Sequence, residues 1–489
     1  MMSSLPHRGQ SARCFSVIRL GSFRQQGNPR GCFGANACAF LFCSCRVAKT
    51  NRAVKCRTQI TAYGPLSGIF VDSLLVFIYI KGNSDGAFDN YQLFDSEGSM
   101  CQGFTFAGIA CGLKKNGQKD LGLIVCDRPA NVAGVFTRNQ VKAAPVLLDI
   151  DRITTGVCQA VIANSGNANC CTGEKGMRDA VSMARWAAAE LDIPEEHVLV
   201  ASTGVIGKPL AVDRIQKAIP DLVTALDAAH IYDFAEAIMT TDTVAKMVSH
   251  KGHLDGVPYT VTGIAKGAGM IRPDMATLLC FVMTDVAAEP ALLKEMLVKA
   301  TNRTLNRITI DGDTSTNDTG LLLANGLCGA AVKGDAAKRA FQDTLDAVLL
   351  SLGKQLVGDG EGATKLVEII VQGTTSDSEA RQIADTVAHS NLVKTALFGE
   401  DANWGRILAA VGRAGVPVET ERVDVFFGDV CMVRKGTGCG KKAESQATRV
   451  LKKPEFAIRI DLNAGRGRAA VFTCDFSVDY VRINADYRS

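Results

Sequence analysis

No aspartate or glutamate occurs between Met1 and Val71; the first acid is Asp72. Eight arginines (Arg8, Arg13, Arg19, Arg24, Arg30, Arg46, Arg52 and Arg57) with Lys49 and Lys55 give that stretch +10, although the whole chain carries only +4. The remainder holds 44 basic and 50 acidic side chains, so the main body is mildly acidic. A basic nucleic-acid surface on that body is thereby excluded, and the positive charge belongs to a leader. Arg- and Ser-containing, acid-free N-termini read as organelle transit segments; the mitochondrial matrix is the first reading and the plastid stroma the second. A basic disordered tail is the alternative.

Other absences narrow the chemistry. None of the 17 cysteines forms a C-x-x-C pair, so they read as small hydrophobes in a reduced compartment rather than as a disulfide framework. No H-E-x-x-H occurs, and His250 and His253, read as sharing a short loop, have no carboxylate partner, so neither a metal nor a cofactor is expected. No G-x-S-x-G elbow supports a Ser-His-Asp hydrolase. Gly436–Lys442 fails as a phosphate loop, because Lys435 stands where its first glycine belongs and no Ser or Thr follows the lysine. The apolar run Leu74–Ile80 is too short to span a bilayer, and no membrane segment is expected.

At 489 residues one or two domains are expected, with composition changing near Gly103. Leu121–Asp127, Ala160–Ser165 and His197–Thr203 read as short buried strands, Met177–Leu191 and Pro290–Arg303 as helices. The strongest helical stripe is Phe341, Leu345, Val348, Leu349, Leu352 and Leu356 within Ala337–Gln355. Phe456, Ile458, Ile460 and Leu462 alternate with polar or small residues as a one-sided strand, and Val471–Phe476 reads as its neighbour. The expected class is an α+β layered fold.

Four segments carry candidate chemistry. In Lys266–Thr277 a glycine stretch and the Pro273 turn lead to Ala276 and Thr277, and the apolar strand Leu278–Met283 follows. If the chain is cut before Thr277, one residue holds both a nucleophilic hydroxyl and an adjacent amine base. Spacing alone favours the plainer reading, a β-branched residue opening a core strand; the other segments reverse it. Ser202–Gly207 is a glycine-flanked turn of the kind that aims donors at one point, as an oxyanion hole requires. Asp311–Gly320 is dense in short oxygen side chains but lacks the closing Glu of a calcium loop, so it reads as a buttress. Glu361, between two glycines, is suited to a substrate ammonium.

Together these segments resemble the ornithine acetyltransferase family, the bifunctional glutamate N-acetyltransferases of arginine biosynthesis. The likeness spans roughly Gly103 to Ser489. It rests on Asp120–Asp127 with Lys142–Val146, Asn164–Asn169, Ser202–Gly207, Met239–Thr243, Lys266–Thr277, Asp311–Thr319, Asp359–Lys365, Phe398–Arg406 and Arg482–Tyr487. The resemblance implies a layered sandwich of the self-processing N-terminal-threonine type with a smaller C-terminal α/β portion. It implies self-cleavage between Ala276 and Thr277, giving an α chain (residues 101–276) and a β chain (277–489) that stay associated, as an α2β2 heterotetramer, after a leader of residues 1–100. Thr277 would carry acetyl from N-acetylornithine to glutamate. Thr203 and Gly204 would form the oxyanion hole, and Thr240, Lys266, Thr277, Glu361, Asn484 and Ser489 would contact substrate. Acetyl-CoA is a second donor within the family's range. The rival readings are a self-processing amidase or aminopeptidase that passes the acyl group to water, and an uncut binding protein.

Overall fold

The computed structural model describes residues 100–272 and 278–486. The basic leader, the run Leu74–Ile80, Ala276, Thr277 and Ser489 lie outside the described residues. In chain order the first strands are β1 (Phe104–Ile109), β2 (Leu121–Phe136), β3 (Val157–Asn164), β4 (Val198–Ser202), β5 (Lys246–Leu254), β6 (Val257–Lys266) and β7 (Leu279–Thr284). They continue with β8 (Ile308–Thr309), β9 (Thr319–Ala324), β10 (Leu366–Thr374), β11 (Asp424–Phe427), β12 (Val430–Arg434), β13 (Thr437–Gly438), β14 (Glu455–Asp461) and β15 (Gly467–Cys474).

Eight strands form one mixed sheet in the order β4-β3-β2-β9-β7-β6-β5, with β1 beside the first half of β2. The sixteen-residue β2 shifts register between Val125 and Ala130, so its first half pairs with β1 and its second with β9. All six residues of β7 are buried, because both faces of this central strand are covered. Cys280 and Val282 face the core made with helices Pro290–Arg303 and Gly334–Gly358. Leu279, Phe281 and Met283 face the core that contains Ile231 and Phe234 of helix Ile231–Ala237.

Within helix Gly334–Gly358, the stripe residues Phe341, Leu345, Val348, Leu349, Leu352 and Leu356 are all fully buried. Helix Pro290–Arg303 matches its sequence bounds, with proline at the first helical position, where a missing N–H costs nothing. A second, seven-stranded sheet runs β13-β12-β11-β14-β10-β15-β8 and carries the smaller C-terminal core, into which Val367, Ile369 and Val371 point with helices Asp377–Ala388, Trp404–Gly412 and Lys441–Leu451. The architecture is the expected α+β layering.

Two local expectations are corrected. β15 is not the neighbour of β14: β10 lies between them, parallel to β14 and antiparallel to β15. The alternation of β14 told which face is buried, not which strand lies beside it. His250 and His253 are not in a loop but on β5, three residues apart and therefore on opposite faces.

The first sheet holds the strands that precede and follow the Ala276–Thr277 junction in the chain. β6 and β7 pair antiparallel over six residues, with Lys266 opposite Leu279, so the intervening segment leaves and returns at one point. Phe281 is fully buried and meets Phe234 edge-on, ring centroids 5.5 Å apart. Phe281→Ala is expected to cost about 3–5 kcal/mol through lost burial and cavity formation, read as a lowered urea midpoint; a change under about 1 kcal/mol would contradict this packing.

Candidate active site

The end of β4 builds one wall. The Thr203 N–H donates to the Asn164 carbonyl at 3.0 Å, so Thr203 offers its hydroxyl rather than its amide. Gly204 has φ +131°, and a Cβ there would stand 2.4 Å from the Gly166 carbonyl carbon; only glycine fits this turn. Asn317 braces it from the Asp311–Thr319 segment, its Nδ2 donating to Ala168 O at 2.6 Å and Ser202 O at 2.8 Å. The expected buttress role of that segment is thus visible. Asp311 adds to it by accepting from the N–H groups of Met270 (2.5 Å) and Ile271 (2.9 Å).

Lys266 closes β6 and is almost wholly buried. Its Nζ donates to Thr240 Oγ1 at 2.9 Å and Thr203 Oγ1 at 3.3 Å. Burial lowers its proton affinity, and Lys246 adds to that effect, while Asp242, Asp318 and Glu361 oppose it. Thr240, rather than Thr241, makes the lysine contact. Asp242, in the same turn, accepts from Lys246 Nζ at 2.7 Å, and Lys246 also reaches Asp359 at 2.7 Å. Burial opposes the Asp242 charge, but the Lys246 and Lys266 ammoniums override it and hold this carboxyl well below the usual range.

Glu361 lines the same cavity as Lys266 and acts on its charge. Its N–H donates to Ala268 O at 2.7 Å, and its Oε2 accepts from Asn484 Nδ2 at 2.7 Å. Asp475 fixes the loop beneath by accepting from Thr364 N, Thr364 Oγ1 and Lys365 N. Asn484 lies on helix Val478–Ala485, whose Tyr480 also hydrogen-bonds Asp311 at 3.4 Å.

A cavity of about 270 Å³ opens between these walls. Thr203, Gly204, Thr240, Lys266, Glu361 and Asn484 all line it, with Leu278, the residue that follows Thr277 in the chain. The buried Lys266 and the buried Glu361 in a single small pocket suit a zwitterionic amino-acid derivative. Thr277, Ala276 and Ser489 lie outside the described residues. Among the described residues no cluster of three or more His, Cys, Asp or Glu offers a metal site, and no helix is long and apolar enough to cross a membrane.

The ArgJ family model matches residues 105–489. The arginine biosynthesis bifunctional protein ArgJ of Geobacter sulfurreducens is 52% identical over 390 residues, covering 79% of this chain and 99% of the relative. That of Syntrophotalea carbinolica is 51% identical over 389 residues, with the same coverage. The chain belongs to the ArgJ family. It is therefore an enzyme of arginine biosynthesis, of the acyl-transferring class that its motifs resemble. Among solved structures, ornithine acetyltransferase from Mycobacterium tuberculosis, complexed with ornithine, is 43% identical over 36% of this chain and 94% of that one, with a TM-score of 0.35.

Sequence reasoning passed over two residues of this ArgJ-family chain: Asp242, which hydrogen-bonds the lining residues Thr240 and Gly267, and Asp318, which lines the cavity. Asp242 was visible only as part of the Met239–Thr243 motif. Asp318 is buried, with no hydrogen-bond partner for its Oδ2. Burial pushes its carboxyl well above the usual range, against the pull of Ser315, Thr137 and Lys266, and so favours the protonated form. Neither carried a periodic or spacing signal.

Gly269 gives a test of the cation-binding wall. Its backbone is not left-handed, but a Cβ there would stand 2.5 Å from the Glu361 carboxylate. Gly269→Ala is expected to raise KM for an ammonium-bearing donor about 10–100-fold, the worth of a charged hydrogen bond, with folding stability within about 1 kcal/mol of wild type. Steady-state kinetics and thermal melts check both, and an unchanged KM would remove Glu361 from substrate recognition.

Proposed function

We propose that this ArgJ-family chain is a self-cleaving acetyltransferase that moves acetyl from N-acetylornithine to glutamate through Thr277. The observation that carries the reading is the cavity lined by Leu278 together with Lys266, Glu361 and Asn484. Ornithine and glutamate share an α-carboxylate, which Lys266 is suited to hold. The ornithine side-chain ammonium finds its counter-charge in Glu361.

Cleavage after Ala276 frees the Thr277 amine. An α-amine titrates near 7.7–8.0, so a useful fraction is neutral at neutral to mildly alkaline pH and accepts the proton from its own hydroxyl. The oxygen attacks the acetyl carbonyl of N-acetylornithine. The oxyanion that forms is met by the Thr203 hydroxyl and the Gly204 N–H, preorganised donors of a kind each worth about 10²–10³ in turnover. Collapse breaks the amide C–N bond, and the proton held by the Thr277 amine passes to the departing ornithine amine. The amine of glutamate then attacks the acetyl ester, giving N-acetylglutamate and returning the proton to the threonine oxygen. Ser489 is read as a further substrate contact.

The α and β chains are read as remaining together in an α2β2 assembly; the β6–β7 pairing, which joins residues on both sides of the cut, supports their association. The acid-free, Arg-rich leader supports organelle import, with the matrix ahead of the plastid stroma. Acetyl-CoA is retained as a second acetyl donor to glutamate.

Thr277→Ala is expected to leave a single uncut species on a denaturing gel and to lower transfer at least about 10⁴-fold, as loss of a nucleophile does in comparable enzymes. A variant that remains uncut yet transfers at the wild-type rate would overturn the mechanism. With labelled N-acetylornithine and the wild-type enzyme, acetyl should appear on glutamate; free acetate as the main product would favour the amidase reading.

A further inference from the structure

The Asp242 carboxylate has no solvent exposure, yet four groups of the site converge on it. Its Oδ1 accepts from Gly267 N at 2.7 Å and from Lys246 Nζ at 2.7 Å. Its Oδ2 accepts from Thr240 N at 3.0 Å and lies 3.9 Å from Lys266 Nζ. One side chain thus grips the backbone at Thr240 and at the residue after Lys266, the two neighbours that line the cavity from this side. Lys246, equally unexposed, is shared with Asp359, whose Oδ2 also accepts from Thr243 N at 3.0 Å. Asp359 stands two residues before Glu361, so the buried chain Asp359–Lys246–Asp242–Lys266 runs between the segments that carry two lining residues, Glu361 and Lys266.

The two lysines are treated differently. Lys246 hydrogen-bonds both carboxylates and is locked. Lys266 stands beyond hydrogen-bond distance from Asp242 and donates instead to the Thr240 and Thr203 hydroxyls. An ammonium has three donors, so one remains for a ligand. Asp242 is therefore close enough to stabilise the Lys266 charge and too far away to capture it.

We propose that Asp242 is a positioning residue of the acetyl-transfer site, fixing Thr240 and Lys266 through their backbones and serving as the counter-ion that leaves the Lys266 ammonium aimed at the substrate α-carboxylate. This rests on the preceding reading that Lys266 meets that carboxylate. The charges acting on Lys266 fit the role. Burial, Lys246 and the like charge of Lys114 work against its ammonium, while Asp242, Asp318 and Glu361 sustain it. Asp242, 3.9 Å away and shared with Lys246, is the foremost of these carboxyls acting on Lys266.

The test compares two donors, N-acetylornithine and its decarboxylated analogue N-acetylputrescine, as the ratio of their kcat/KM values for acetyl transfer to glutamate. Wild type should favour the carboxylate-bearing donor by about 10–100-fold or more, the worth of one charged hydrogen bond. Asp242→Asn should bring that ratio to within a few-fold of unity, with N-acetylornithine losing far more than the analogue. A merely structural residue would lower both donors by one factor and leave the ratio intact, and that result overturns the proposal. Should D242N fail to fold, Asp242→Glu keeps a charge for Lys246 while its longer arm misplaces the Thr240 and Gly267 contacts; the ratio should again fall, and an undiminished ratio overturns the proposal. Wild-type enzyme that transfers acetyl from neither donor would instead defeat the functional reading, which separates the two failures.

Discussion

Antiparallel pairing of β6 with β7 sets Lys266 opposite Leu279, and the rest of the site hangs on that register. β6 ends at the pocket's cation and β7 begins two residues after the threonine read as the nucleophile. A register slip of one residue would turn Lys266 toward the other face of the sheet and empty the cavity of its charge. Burial of β7 between two cores enforces the register, since every one of its side chains is packed. The same pairing ties together the two sides of the proposed cut, so catalysis and chain association depend on one set of backbone hydrogen bonds.

Charge burial is the second constraint. Lys246 and Lys266 are both taken out of water, a cost that geometry must offset with close, fully hydrogen-bonded partners. Lys246 meets that requirement through Asp242 and Asp359, whereas Lys266 is met by the Thr240 and Thr203 hydroxyls with Asp242 at 3.9 Å. Glu361 is held by Asn484 from the C-terminal helix and by its own N–H to Ala268, two residues beyond Lys266, so the C-terminal helix and the Lys266 segment together fix the carboxylate. A rigid pocket with separate poles can take two amino acids in turn, one carrying a side-chain ammonium and the other a side-chain carboxylate, and discriminate through their shared α-carboxylate.

Much of this was legible in the chain. The helical stripe in Gly334–Gly358 and the strand Leu279–Thr284 follow from local apolar spacing, which reports burial directly. Thr203, Gly204, Thr240, Lys266, Glu361 and Asn484 were named from their motifs, and the fold gathers all six around one cavity. The order of strands in the second sheet was not legible, because the alternation of β14 says nothing of whether β10 or β15 lies beside it. Nor was Asp242: a polar turn residue reads as solvated until Asp359, more than a hundred positions away, is seen to share its lysine. Buried polar networks are set by long-range partners and leave no periodic trace. Asp318 escaped notice for the same reason.

The central claim is that one threonine, freed at its amine, carries the acetyl group between two amino acids. Rapid acid quench of the wild-type enzyme with N-acetylornithine and no glutamate, followed by peptide mass spectrometry, tests it most directly. The account predicts a peptide beginning at Thr277 that is heavier by one acetyl group and loses it when glutamate is added before the quench. An enzyme that turns over with its chain unbroken at that junction, or whose Thr277 peptide never carries acetyl, would contradict it.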